Sequence, residues 1–213
     1  MHSLFSKPLD DQFKEQFYRL IQSRKSIRQF KSDPVSKELI EKIITHAGVH
    51  APSGKNRQNW KFFVLQGKQR EEYLKYSQKS WVKIKDILQQ RLKPSLYLFT
   101  ERFFYTLGNA PVVILVYSEN TSEEKYLTSI GSVYMAVENI NLACVAEGLG
   151  CCTMGAPLEI KDEVNAFIQD AVGPDLKIGG DGLELLCGLA IGYPDHNPPK
   201  APRKLDGRIH CIS

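Results

Sequence analysis

The sequence predicts an α+β fold. Segments with helical apolar spacing alternate with four short strand-like runs. Two of these runs, residues 112–117 (VVILVY) and 185–191 (LLCGLAI), are continuously apolar, as expected of strands covered on both faces. No strand leads into a G-x-G-x-x-G turn, which argues against a Rossmann dinucleotide domain and a P-loop.

Each element has a local reason. Leu9, Phe13, Phe17, Leu20 and Ile21 recur at helical spacing, so residues 9–22 form an amphipathic helix. A short basic segment, Arg24-Lys25-Ser26-Ile27-Arg28, follows, and Asp33-Pro34 turns the chain. Ser36 is the N-cap of a second helix with Leu39, Ile40, Ile43, Ile44 and Ala47 on one face. Residues 51–56 are a loop, and 60–65 (WKFFVL) are a strand closed by Gly67. Residues 69–92 are helical and end at Pro94. Residues 95–107 are rich in aromatics and are read as core packing or as a lid over a planar substrate. A long, mostly buried helix runs from Tyr126 toward Gly148, whose Gly148-Leu149-Gly150 is a C-cap and turn. A strand at 151–154, a helix at 157–168 and the strand at 185–191 complete the core. A Pro-rich basic tail follows Gly192-Tyr193-Pro194.

Composition narrows the function. At 213 residues with 42% hydrophobic and 24% charged, the chain is of ordinary globular composition and is expected to form a single domain over residues 1–213. It can bury roughly 70% of its unfolded surface, so no disulfide or metal staple is required. No apolar run approaches the ~18 residues of a membrane span, and the N-terminus lacks a signal-peptide pattern. A cytoplasmic location and no membrane partner are expected. The formal net charge of +4 is spread among both signs, which argues against a nucleic-acid stripe. Five cysteines without a C-x-x-C pair are read as reduced, mostly buried thiols.

Several clusters could carry chemistry. In an extended segment, Arg24, Ser26 and Arg28 face one side and Ile27 the other. Such a face could fork a phosphate, whereas the ordinary reading is a solvated turn. The loop Pro52-Ser53-Gly54-Lys55-Asn56-Arg57-Gln58 offers backbone N–H groups, a hydroxyl and two amides, or is simply a connection. Arg203 in the tail is an anion contact or a surface cation. His46 and His50 are four apart but lack a third ligand, so no metal is expected. Cys151 and Cys152 point to opposite faces of a buried strand, where packing outweighs catalysis. No G-x-S-x-G elbow is present.

Taken together, four motifs in order resemble one family. R-K-S-I-R-Q-F with D-P-V-S, then A-P-S-G-K-N-R-Q-N-W-K-F, resembles the N-terminal signature of the nitroreductase family of FMN-dependent oxidoreductases. E-G-L-G-C-C-T-M-G, then L-A-I-G-Y-P and a late P-R-K, resembles its C-terminal half. The likeness runs from about Leu20 to Lys204 and is weakest over residues 69–107, the variable, substrate-shaping lid region of the family.

The resemblance implies a three-layer fold with helices around a mixed, mainly antiparallel sheet. It implies a homodimer with two FMN sites at the interface, and a tail (194–213) that reaches the partner subunit. Arg24, Lys25, Ser26 and Arg28 match the segment holding the FMN phosphate, ribityl chain and pyrimidine edge. Pro52, Ser53, Gly54 and Asn56 match a loop given by the other subunit. Thr153, Met154 and Gly155 match the strand end near flavin N5, and Arg203 matches the late phosphate-binding Arg. Some members place a Lys two residues before that Arg; here Ala201 stands there and Lys200 beside it. The implied reaction passes a hydride from NAD(P)H through the flavin to a nitroaromatic, quinone or similar small planar acceptor. No protein nucleophile is required; Arg28 and Thr153 would tune the flavin. Within the family, an iodotyrosine-deiodinase-like dehalogenase uses a Glu and a Tyr four apart with a later Lys. Glu72 and Tyr76 have that spacing, but Phe103 and Phe104 stand where the Lys belongs. The resemblance is also compatible with a member type that destroys its own flavin with oxygen, and with a flavin-binding protein that has no catalytic activity.

Overall fold

The computed structural model describes residues 10–119, 126–204 and 206–212; Leu9, assigned to the first helix, lies outside them. Helix α1 (Asp11–Ser23) is capped by Asp10, whose carboxylate accepts from the Phe13 N–H. Helix α2 (Lys37–His46) begins at Ser36, which accepts from the Leu39 N–H at 3.1 Å, as the sequence predicts. Strand β1 (Trp60–Gln66) leads through Gly67, at φ 51°, into helix α3 (Gly67–Arg91). Pro94 does not merely end that helix. It sits in the first turn of a further helix, α4 (Pro94–Thr106), where its missing N–H costs nothing. The aromatic stretch is therefore helical. Strand β2 (Val112–Glu119), helix α5 (Tyr126–Ala146), strand β3 (Gly150–Met154), helix α6 (Lys161–Val172) and strand β4 (Leu183–Gly192) follow. Residues 157–160, expected to open the helix at 157–168, belong instead to a separate 3₁₀ turn (Ala156–Ile160) before α6.

The strands lie in the order β1-β2-β4-β3 and all pair antiparallel. The outer edge of β3 is covered by the basic segment. Ser26 bridges Cys151 in parallel, and the Ile27 N–H donates to the Cys151 carbonyl oxygen at 3.1 Å. That isolated parallel bridge lies outside the four antiparallel strands and blunts an otherwise open edge.

Both faces of the sheet are buried. Along β2, Val113, Leu115 and Tyr117 pack with Tyr73 and Trp81 of α3, Phe103 and Phe104 of α4, and Phe167 of α6. Val112, Ile114 and Val116 pack with Ile40 and Ile43 of α2 and with Val133, Val137 and Ile140 of α5. The result is three layers: α2 and α5, the sheet, then α3, α4 and α6. The continuous apolar run of β2 reflects this double cover.

The aromatic stretch divides its residues between core and surface. Trp81 lies 5.1 Å from Tyr97 and 5.4 Å from Phe104, centroid to centroid. Buried Arg70 ties α3 to the end of α4: Nε donates to the Ala110 carbonyl (2.8 Å) and a terminal nitrogen to the Thr106 carbonyl (2.7 Å). Cys144, Cys151, Cys152 and Cys187 are buried free thiols, and Cys211 is exposed. Among the described residues, no helix is long and apolar enough to cross a membrane, and no His/Cys/Asp/Glu group could hold a metal.

Candidate functional site

The segment that covers β3 carries the basic residues. Ile27 is buried against Gly150, where a Cβ would stand 2.7 Å from the Ile27 Cβ. Glycine is required at this close approach, and the anchored Ile27 fixes the orientation of its neighbours. Arg24, Lys25, Ser26 and Arg28 then line a cleft of about 240 Å³. Its opposite wall is the tail: Pro198, Pro199, Lys200, Ala201 and Arg203. Residues 175 positions apart in sequence, Arg28 and Arg203, therefore share one cavity (203 − 28 = 175).

The tail is held by identifiable contacts. The Lys31 N–H donates to the Tyr193 carbonyl (2.9 Å), and the Asp195 N–H donates to the Gln29 carbonyl (3.1 Å). Lys25 Nζ donates to Asn197 Oδ1 (2.5 Å) and to the Pro198 carbonyl (2.7 Å). Lys25 thus acts first as a staple for the tail. Nothing in its spacing from Arg24 signals that role, because both acceptors are more than 170 residues away.

Arg24 is also partnered. Its Nε lies 3.2 Å from Glu138 Oε1 on α5. Asn141 donates to Glu138 Oε2 (3.1 Å) and to Thr153 Oγ1 (3.3 Å). One network therefore runs from Arg24 across α5 to the end of β3. Contact through Nε leaves the terminal nitrogens of Arg24 for an anion. Thr153 and Gly155 are exposed there, whereas the Met154 side chain packs into the core.

Arg28 stands beside Cys152. Burial raises the Cys152 thiol above its ordinary pKa, and the charge and hydrogen bond of the Arg28 guanidinium oppose that shift. Burial also pushes the Cys187 thiol up to about 12, so these sulfurs stay protonated and suit packing rather than attack. On its other side Arg28 borders a second pocket, about 60 Å³, lined also by Phe99, Arg102 and Phe103 of α4. Of the aromatic stretch, Phe99 and Phe103 line this pocket.

The loop Pro52, Ser53, Gly54 and Asn56 does not line either pocket. It docks on the first half of α5 instead: the Gly54 N–H donates to Ser132 Oγ at 3.3 Å. Ser53 Oγ accepts from the Gln58 N–H, and Asn56 Oδ1 accepts from Gln58 Nε2. Lys55, Asn56 and Gln58 all have positive φ, so the loop holds a defined, strained shape. Glu72 and Tyr76 are absent from both pockets as well. Glu72 pairs with Lys68, and Tyr76 packs 5.0 Å from Phe167. Arg102 and Gly108 also line the second pocket, yet neither belongs to a motif, so no sequence signal marks them.

Comparison with known proteins agrees with this architecture. The nitroreductase family model matches residues 21–193. An iodotyrosine deiodinase of Thermotoga neapolitana is 30% identical, covering 87% of this chain and 92% of that protein. Nitroreductase NfnB of Mycolicibacterium smegmatis is 24% identical, covering 83% and 82%. A crystal structure of oxidized iodotyrosine deiodinase bound to FMN and 3-iodo-L-tyrosine superposes with a TM-score of 0.66 at 27% identity, covering 92% of this chain and 99% of that one. The match spans the basic segment, the loop on α5 and strands β1 to β4, so the chain belongs to the nitroreductase family.

Proposed function

We propose that the protein is an FMN-dependent oxidoreductase that passes a hydride from NAD(P)H to a planar acceptor. The observation that carries this reading is the convergence of Arg24, Ser26, Arg28 and Arg203 on one cleft that adjoins an aromatic pocket. A phosphate of nearly two negative charges suits a wall of guanidinium groups, which bind it by charge-assisted hydrogen bonds. The residues present therefore fit FMN. Arg24, Arg203 and Lys200 would hold the phosphate, and Ser26 the ribityl chain. Arg28 would face the pyrimidine edge, where a cation stabilises negative charge gained on reduction. Thr153, with the Met154 and Gly155 backbone, would border the flavin ring. When bound, FMN would supply two-electron hydride chemistry between the nicotinamide and the acceptor. A quinone would take up one hydride and one proton to become a quinol, with NAD(P)H converted to NAD(P)⁺. A nitro group would take up one hydride and one proton and lose water to become a nitroso group.

The strained loop Pro52, Ser53, Gly54 and Asn56 lies outside the cleft of its own chain. This favours a homodimer in which it completes the partner's site. A second reading, reductive dehalogenation of an iodotyrosine-like amino acid, has support from the Thermotoga relative. It needs Glu72 and Tyr76 at the substrate, and both are engaged elsewhere. The test is anaerobic turnover with a quinone, a nitroaromatic and 3-iodotyrosine. Oxidation of NAD(P)H with the first two and no iodide from the third is expected. Iodide release as the dominant activity would replace this reading, and no turnover with any acceptor would favour a flavin-binding protein without catalysis.

A further inference from the structure

We propose that the pocket between Arg28 and α4 is an anion subsite for the acceptor, with Arg102 as its anchor. The preferred acceptors are then planar aromatics bearing a carboxylate. This deepens the oxidoreductase reading and rests on it.

Four residues of α4, Phe99, Arg102, Phe103 and Thr106, line this pocket. Their spacing of three, one and three places them on one helix face. Phe103 is buried in the core, so it fixes how that face meets the sheet. Phe99, half-buried on the same face, offers apolar contact for a flat ring. Arg102 is exposed, and its guanidinium has no ion pair or hydrogen bond among the described residues. The contrast with its neighbours is sharp: Arg24 meets Glu138, and Arg70 meets Glu71 and two carbonyl oxygens. An unpaired planar fork beside aromatic rings matches a carboxylate bidentately.

Charge points the same way. The lining holds Arg28 and Arg102 against one carboxylate, Asp195. Arg28 lines the neighbouring cleft as well, whereas Arg102 lines only the smaller of these two cavities. Arg102 is left as the cation available to a second ligand. Because one terminal acceptor group suffices, a small carboxylate fits this pocket of about 60 Å³ with the ring lying outward over Phe99.

The donor's phosphates are another source of anion, so the experiment has two arms. On the holoprotein, calorimetry measures binding of benzoate and of its neutral isostere benzamide, neither of which is reduced. Benzoate is expected to bind about 10–100-fold more tightly, with the difference lost in Arg102→Gln. Asp195→Asn, which removes the opposing carboxylate, is expected to tighten benzoate only. The kinetic arm compares KM for 4-nitrobenzoate and 4-nitrobenzamide at saturating donor, and then NADPH and NADH at saturating 4-nitrobenzamide. Equal binding of benzoate and benzamide would overturn the subsite. So would a preference that survives Arg102→Gln, or an effect of Arg102→Gln confined to the donor arm. Absence of turnover with every acceptor would count against the oxidoreductase reading alone, because the binding arm would still report on Arg102.

Discussion

Lys25 and Arg203 illustrate how two cations of one cleft do different work. Arg203 is exposed on the tail and faces the cavity, whereas Lys25 spends two of its three donors on Asn197 and Pro198. If Arg203 holds the phosphate as proposed, its replacement by Ala removes a partner worth roughly 1.5–3 kcal/mol, and FMN affinity is expected to fall about 10–100-fold. Lys25→Met is expected to weaken FMN by a second route: it frees the tail that carries Arg203. Hydrogen exchange distinguishes the two, since only Lys25→Met should speed exchange at Asp195 and its neighbours. FMN titrations that leave both variants at wild-type affinity would contradict the assignment. The alternation of Arg24, Ser26 and Arg28 around Ile27 was legible because an extended segment has a period of two. The staple by Lys25 was not, because it depends on a contact across nearly the whole chain.

At the scale of elements, the strands and most helices were readable from periodicity, and α4 was not. Its aromatics fall on the face toward Trp81 and on the face toward the site, which erases the apolar-polar contrast that marks a surface helix. Pro94 reads equally as a stop and as a start. The turn after α4 then decides where Arg28 lies. Gly108 has φ 60°, and a Cβ there would collide with the Arg28 carbonyl oxygen. The Phe30 N–H also donates to the Gly108 carbonyl at 2.8 Å. Gly108→Ala is expected to cost about 1–3 kcal/mol of stability from backbone strain alone and to displace the basic segment, lowering FMN retention. Gly148→Ala is the control: φ is 73° but no atom lies within 4 Å of the added Cβ. Thermal melts with FMN occupancy check both. Equal effects of the two substitutions on FMN would show that contact with Arg28 is irrelevant.

The whole molecule leaves apolar side chains outside its three layers. Phe13, Phe17, Tyr18 and Ile21 of α1 are exposed, as are Leu127, Tyr134 and Met135 of α5. Helix α1 buries none of its residues, although five of them are large and apolar. The proposed homodimer would cover such a surface. The surface adjoins the loop Pro52, Ser53, Gly54 and Asn56, which also rests on α5. Sedimentation equilibrium is expected to give twice the 24.2 kDa chain mass. A monomer carrying full flavin would rule out a site shared between subunits. Oligomeric state was legible in the sequence only through resemblance, since exposed apolar residues at helical spacing look like core until the fold shows that nothing covers them.

The visible absorption spectrum of the purified protein, taken before and after anaerobic addition of NADH or NADPH, tests the central claim most directly. Bound-flavin bands that bleach with one of the two donors are expected. A colourless protein that FMN cannot reconstitute, or a bound flavin that neither donor reduces, would contradict it.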